Sequence, residues 1–440
     1  MLGAQLPLLS ALPFVLLLLT IALAPLAVPR WWHANPNKAL VAFIISIPVL
    51  LQLFGLGEAG RQLLAEKAYE YIGFIVVIGA LFAVTGGIHI EGSLSGTPMV
   101  NTAVLGIGAV LANLVGTTGA SVLLIRPLLR ANKRRHRVAH TVIFFIFIVA
   151  NCGGLLTPIG DPPLLLGFLK GVPFEWTLRL WPQWLLINAV LLVVFNFWDQ
   201  WALNKEEQER RGSLLEEVME HAPLRIRGGV EMLVLLGVLL TIISSGRASA
   251  AGRPWQGGMQ ELVIVVLALI GYFAGSHEHR TKNLFTFSPF IEVAILFAAI
   301  FITMAPVLEI LNAWSQGSSA MLTKPWHFFW ASGTLSSVLD NAPTYLAFVA
   351  SAAGLQHLPP HGPFIGALAL DPVGAKLLAA IATGSVFMGA NTYIGNAPNF
   401  MVKAIAEEHG VKMPSFFGYM AYSVGILLPL FVVVSLVFFT

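Results

Sequence analysis

Long apolar runs, cut by short polar stretches, set the pattern of this chain. Runs such as "LPFVLLLLTIALAPLAV", "ALVAFIISIPVLLQLFGLG", "LINAVLLVVFNFW" with its flanks and "YSVGILLPLFVVVSLVFF" reach the length of roughly 17–25 residues that a bilayer demands. The pattern predicts ten spans, near 8–29, 39–57, 71–90, 138–170, 181–198, 229–246, 260–275, 287–311, 373–408 and 416–438. Two of them, 138–170 and 373–408, are interrupted by Gly and Pro and are predicted to be broken helices. Two further apolar stretches, about 97–129 and 325–353, carry turn residues in their middles and suit re-entrant hairpins.

Composition agrees. The 440 residues are 57% hydrophobic and 11% charged, where soluble domains run nearer a quarter charged. The expected fold class is therefore an all-α polytopic membrane protein, with the bilayer as its first partner. The soluble-looking stretch from Asp199 to Arg227 is too short for a catalytic core and reads as a cytoplasmic linker over 201–228. The N-terminus lacks the basic start of a signal peptide and reads as the first span. The single cysteine, Cys152, excludes intramolecular disulfides and thiolate clusters. No P-loop supports ATP-driven pumping. The net charge of +3 points to no nucleic-acid partner, because the basic residues fall in loops.

Most of the 25 lysines and arginines then gather on one face, including Arg30, Lys38, the cluster "RPLLRANKRRHR", Lys205, Arg225, Arg280 and Lys403. The positive-inside rule makes that face cytoplasmic and places both termini outside.

The two breaks are related. "GLLTPIGDPP" (154–163) and "GANTYIGNAP" (389–398) share Gly, Thr, Ile, Gly and Pro at matched positions, with Asp161 opposite Asn396. The tips "ANLVGTTGAS" (112–121) and "DNAPTYLAF" (340–348) hold similar places upstream, as do "FIVVIGALFAV" (74–84) and "FIEVAILFAAI" (290–300). The chain thus reads as two inverted repeats, 1–200 and 229–440, the plan of many secondary transporters. Gly and Pro unwind a helix. Unwound backbone at membrane depth is tolerated only inside protein or along a cavity, where its carbonyls can bind a cation.

Three carboxylates fall within apolar segments: Asp161, Asp340 and Glu292. A lone acid at the bilayer centre costs roughly 2.5–3.5 kcal/mol and marks an ion or proton path. Glu292 sits near a span start and Glu309 near the outer surface. His89 and His140 read as structural, Asp371 as an N-cap, and Lys170 and Arg179 as snorkelling outward. Around the two aspartates gather oxygen-bearing residues suited to a hard cation: Asn113, Thr117, Thr118, Thr157, Asn341, Thr344, Asn391, Thr392, Asn396 and Asn399. The expected sodium ligands are Asp161, Asp340, Asn341 and Asn396. Two carboxylates could also exchange a proton for that cation. They would repel an anion unless cations neutralised them first. No nucleophile–base pair appears in the apolar spans, so no enzyme is expected.

"TPIGDPP", "DNAPT" and "IGNAPN" resemble motifs of the ion transporter superfamily, in particular its NhaD-type sodium/proton antiporter and arsenite permease branch; citrate transporters and divalent anion/sodium symporters are related. The resemblance covers roughly 70–200 and 285–435. It implies two five-helix inverted repeats, each with a re-entrant hairpin and an unwound helix, homodimers, and elevator movement. It implies one ion site at Asn113, Gly116, Thr117 and Gly154–Asp161, and a second at Asp340, Asn341, Thr344 and Gly389–Asn396. The anion symporters carry Ser-Asn-Thr at their hairpin tips. Here Asp340 replaces a hydroxyl, which favours a cation exchanger. The expectation is a sodium/proton antiporter of a bacterial-type inner membrane, with no cofactor beyond transported Na⁺ and H⁺. The alternatives are a sodium-coupled citrate or dicarboxylate symporter and an arsenite permease.

Overall fold

A computed structural model describes residues 2–209, 218–219, 222–317 and 322–440. Among the described residues nine helices are long and apolar enough to cross a bilayer. The protein is an all-α polytopic membrane protein, as the apolar pattern predicts.

Three long helices lie in the first part of the chain: α1 (Leu12–Ala27), α2 (Asn35–Gly55) and α3 (Glu58–Thr85). Helix α3 begins well before residue 71. Its added turns carry Glu66, Lys67 and Glu70, whose charges pair locally and with Lys170, so the polar stretch extends the helix instead of forming a loop.

Next comes α4 (Pro98–Ala131), 34 residues long. Run straight, it would span about 51 Å. Yet Asn101 Nδ2 donates to Asn132 Oδ1 at 3.0 Å and Asn132 Nδ2 returns the bond to Asn101 Oδ1 at 2.8 Å. The element therefore doubles back, and it does so at Gly116, where φ is 78° and ψ 158°. A left-handed φ is open to glycine and costly for other residues.

The first break follows: α5 (Ala139–Ile148), a 3₁₀ turn (Cys152–Leu155), irregular backbone, and α6 (Pro162–Leu169). Helix α5 is buried over residues 140–148 and apolar on every side from Val142 onward, which fits a central helix. Beyond it lie α7 (Trp181–Glu209), α8 (Gly229–Ala250), α9 (Met259–Ala274) and α10 (Ser288–Ser315). A second pair, α11 (Pro325–Ser336) and α12 (Asn341–Leu355), precedes the second break, made of α13 (Pro372–Met388), a 3₁₀ turn (Gly389–Asn391) and α14 (Ala397–Glu408). Helix α15 (Phe416–Phe438) ends the chain with outward Val424, Leu436 and Val437, an apolar face suited to lipid.

The linker expected over 201–228 differs from its reading. Helix α7 continues to Glu209, and Ala222–Arg227 forms a strand, β2, antiparallel to β1 (His89–Ser93), with His89 opposite Arg227. Residues 210–217 and 220–221 lie outside the described residues.

Several charges sit where the apolar pattern did not place them. Lys170 does not snorkel: it is 3% exposed and pairs with Glu70. Glu309 is buried rather than at the surface, and His361 Nε2 lies 3.2 Å from it. Glu292 pairs with Lys38 at 2.7 Å, an ordinary helix-to-helix bridge between α10 and α2. Asp199 is fully buried against Arg135 (2.6 Å), His140 (2.8 Å) and Asn101 (2.9 Å), which ties the base of the α4 hairpin to α7. Asp371 caps α13 through Gly374 N at 2.6 Å. Cys152 is free and buried.

Candidate functional site

Each break is held open by a threonine reaching into the hairpin beside it. Thr157 Oγ1 donates to Asn113 O at 2.6 Å, and Thr392 Oγ1 donates to Ser337 O at 2.6 Å. The freed backbone is then satisfied locally. Asn113 donates to Ala109 O (2.9 Å) and Gly153 O (2.7 Å) and accepts from Leu156 N (2.8 Å). In the second break, Thr392 Oγ1 accepts from Ile394 N and Gly395 N, and Asn391 donates to Ser337 Oγ at 2.8 Å. Buried backbone groups left without partners would cost as much as lost hydrogen bonds, so these side chains are what make the unwinding tolerable.

Each break closes on glycine. A β-carbon on Gly160 would run into Gly154 O, and one on Gly395 would lie 2.6 Å from Gly389 O. Both breaks end in the same way. Asp161 (φ −147°, ψ 147°) and Asn396 (φ −151°, ψ 140°) stand in extended backbone at the N-termini of α6 and α14, and neither side chain caps its own helix. The two side chains are thereby free to meet.

They meet at the Asp161 carboxylate, which is 1% exposed. Its Oδ1 accepts from Thr117 Oγ1 at 2.9 Å and from Asn396 Nδ2 at 3.3 Å. Its Oδ2 accepts a short bond from Asn341 Nδ2. Thr117 comes from the α4 hairpin, Asn341 from the start of α12 and Asn396 from the second break. One carboxylate thus receives donors from both halves of the chain. All three donors are neutral. Helix N-termini at α6, α12 and α14 carry Asp161, Asn341 and Asn396 or their neighbours, and their positive ends favour the carboxylate's charge. Asn341 Oδ1 is buried and, among the described residues, accepts no hydrogen bond.

The other expected site residues divide. Asn113, Gly116 and Thr157 shape the first break and its hairpin, and Asn391 and Thr392 shape the second; none of these five bonds to the carboxylate. Asp340 caps α12 through Ala342 N at 3.3 Å, and Thr344 Oγ1 donates to Asp340 O at 2.9 Å. Asp340 is adjacent in sequence to Asn341 but shares none of the hydrogen bonds of Asp161. Two residues escaped the sequence reading. Ser337 takes the place that Asn113 holds in the first half, and a serine just past a helix end gives no signal. Asn151, fully buried before the first break, is a lone amide in an apolar run. Among the described residues no group of three or more His, Cys, Asp or Glu could hold a metal.

No curated protein matches the chain. Residues 3–439 match the family model CitMHS_2, described as "Putative citrate transport". That match covers nearly the whole chain, and the polytopic helical fold agrees with it. The chain belongs to this citrate-transport family of membrane transporters.

Proposed function

We propose that the protein moves a citrate-class carboxylate across the membrane with a coupling cation, Na⁺ or H⁺, and that Asp161 is the coupling carboxylate. The observation that carries this reading is the Asp161 carboxylate, buried between the two halves and met, among the described residues, by neutral donors alone. A buried carboxylate without a cationic partner is costly, so a proton or sodium ion at this position lowers that cost. Asn341 Oδ1 supplies a further oxygen beside it. The bound cation also supplies positive charge that the Thr117, Asn341 and Asn396 side chains lack, and a polyanionic substrate needs it.

Access from alternate sides would follow from movement of the elements that carry the breaks, in a multi-pass protein acting as a homodimer. A second reading, sodium/proton exchange without an organic anion, is favoured by the same neutral donor set: the carboxylate suffices to exchange one cation for another.

Citrate uptake into proteoliposomes, with Na⁺ and pH gradients imposed separately and a pH-sensitive dye inside, separates the two. Cation-dependent citrate uptake, lost in Asp161→Asn, is the expected result. A cation-driven pH change without citrate, also lost in that variant, selects the exchanger. Cation-dependent transport that survives Asp161→Asn overturns the role of Asp161.

A further inference from the structure

Three buried asparagines form a chain of bonds with a direction. Asn399 Nδ2 faces two backbone carbonyls, Gly389 O at 2.8 Å and Thr392 O at 2.9 Å. Carbonyls only accept, so this end of the Asn399 amide must be the nitrogen. Its Oδ1 is then turned to Asn151 and accepts from Asn151 Nδ2 at 2.7 Å. Asn151 Nδ2 also faces Ile146 O at 2.8 Å, which demands a nitrogen there a second time. Asn151 Oδ1 is consequently left to accept from Asn396 Nδ2 at 3.2 Å. Ala150 O, 3.1 Å from the same nitrogen, agrees. Asn396 therefore presents its NH₂ to Asp161, and the other amide orientation would set oxygen against oxygen at three places. Asn151 and Asn399 are 0% exposed and Asn396 2%, so water does not compete for these bonds. Asn341 differs: it donates to the same carboxylate, but among the described residues no donor holds its Oδ1.

We infer that Asn151 is a positioning residue that locks Asn396 as a hydrogen-bond donor to Asp161 and so keeps the coupling cation weakly enough held to be released. The inference rests on Asp161 being the coupling carboxylate. A donor to a charged carboxylate stabilises the cation-free state. Removing Asn151 takes away one of the two acceptors that hold the Asn396 nitrogen beside Asp161, which weakens that state relative to the occupied one and leaves Ala150 O alone to oppose a turn of the Asn396 oxygen toward the cation. Both changes tighten cation binding. This also makes Asn396 a donor in the locked state and not one of the oxygen ligands expected from its sequence position.

The test uses the full-length protein in proteoliposomes, with citrate uptake measured while Na⁺ is varied at fixed pH and protons are varied at fixed Na⁺. In Asn151→Ala the half-saturating concentration of the coupling cation is expected to fall about three- to tenfold, with a lower maximal rate because release slows. Structural damage alone would raise the half-saturating concentration or only reduce the folded fraction, which thermal unfolding reports. Asn399→Ala acts one bond further from the carboxylate and is expected to shift it in the same direction by less; it serves where Asn151→Ala does not fold. An unchanged or higher half-saturating concentration in the folded variant overturns the inference. Asp161→Asn is run alongside. Lost cation dependence there, with no tightening in Asn151→Ala, overturns this inference alone. Cation dependence retained in Asp161→Asn overturns the proposed coupling role itself.

Discussion

At the scale of single residues, the breaks depend on the absence of side chains as much as on their presence. Gly160 touches Gly154 so closely that an added methyl meets carbonyl oxygen and backbone carbon, the latter at 2.8 Å. Backbone cannot swing aside as a flexible side chain would. Gly160→Ala is expected to cost about 1–3 kcal/mol, the usual range for overpacking, and to lower the thermal unfolding midpoint of the purified protein. Gly425→Ala in α15, where a β-carbon meets nothing within 4 Å, is the control and is expected to leave the midpoint unchanged or raised. Equal midpoints for the two variants would mean that the first break yields easily. Asp161 was legible because an acid, two glycines and three prolines interrupt an apolar run, a combination with few physical explanations. Asn151 was not, because a single amide among apolar residues has the same pattern whether it is a satisfied core residue or the middle of a relay.

At the scale of elements, the two breaks are built alike but are not equally dependent on their threonines. Thr157 makes one bond, to the hairpin carbonyl of Asn113. Thr392 makes the equivalent bond and also accepts from two backbone N–H groups. Thr157→Val is expected to cost about 1 kcal/mol, and Thr392→Val roughly 2–3 kcal/mol, because orphaned buried donors pay their desolvation in full. Thermal unfolding midpoints should rank wild type, Thr157→Val, Thr392→Val in falling order; the reverse order would sink the argument. The existence of both breaks was readable from the matched "GLLTPIGDPP" and "GANTYIGNAP", whereas the hairpin residues that receive the threonines were read less well. Sequence similarity set 340–348 beside 112–121, but hydrogen bonding sets Ser337 beside Asn113. The strands β1 and β2 escaped notice because each is short and their pairing joins segments far apart in the chain. Lys170 was misread for a related reason. A basic residue at a helix end has two outlets, water or a buried acid, and only the fold shows that Glu70 stands within reach.

At the scale of the whole molecule, one set of charges joins α3, the end of α6, α10 and the loop holding His361. Glu66, Lys67, Glu70, Lys170, Glu309 and His361 form a connected set there. The His361 imidazole is pushed above its ordinary value, first by its bond to Glu66 and then, against some desolvation, by Glu309. A raised folded value means that the stabilisation is complete below the unfolded histidine pKa of about 6.5 and disappears as pH rises through the folded one. The difference in thermal midpoint between wild type and His361→Gln should therefore be largest in mild acid and close as pH rises. A gap that widens with pH would refute the pairing.

The doubling back of α4 has a consequence of another kind. A segment that leaves the membrane by the face it entered adds nothing to the count of crossings, so it leaves the direction of every later helix unchanged, although its 34 residues are long enough to cross. Parity, and not length, decides which loops share a compartment. Cysteines introduced at Ser95 and Lys133, on a background in which Cys152 is replaced by Ala, should react with a membrane-impermeant maleimide from the same side of sealed vesicles. Labelling from opposite sides would reverse the orientation of all that follows.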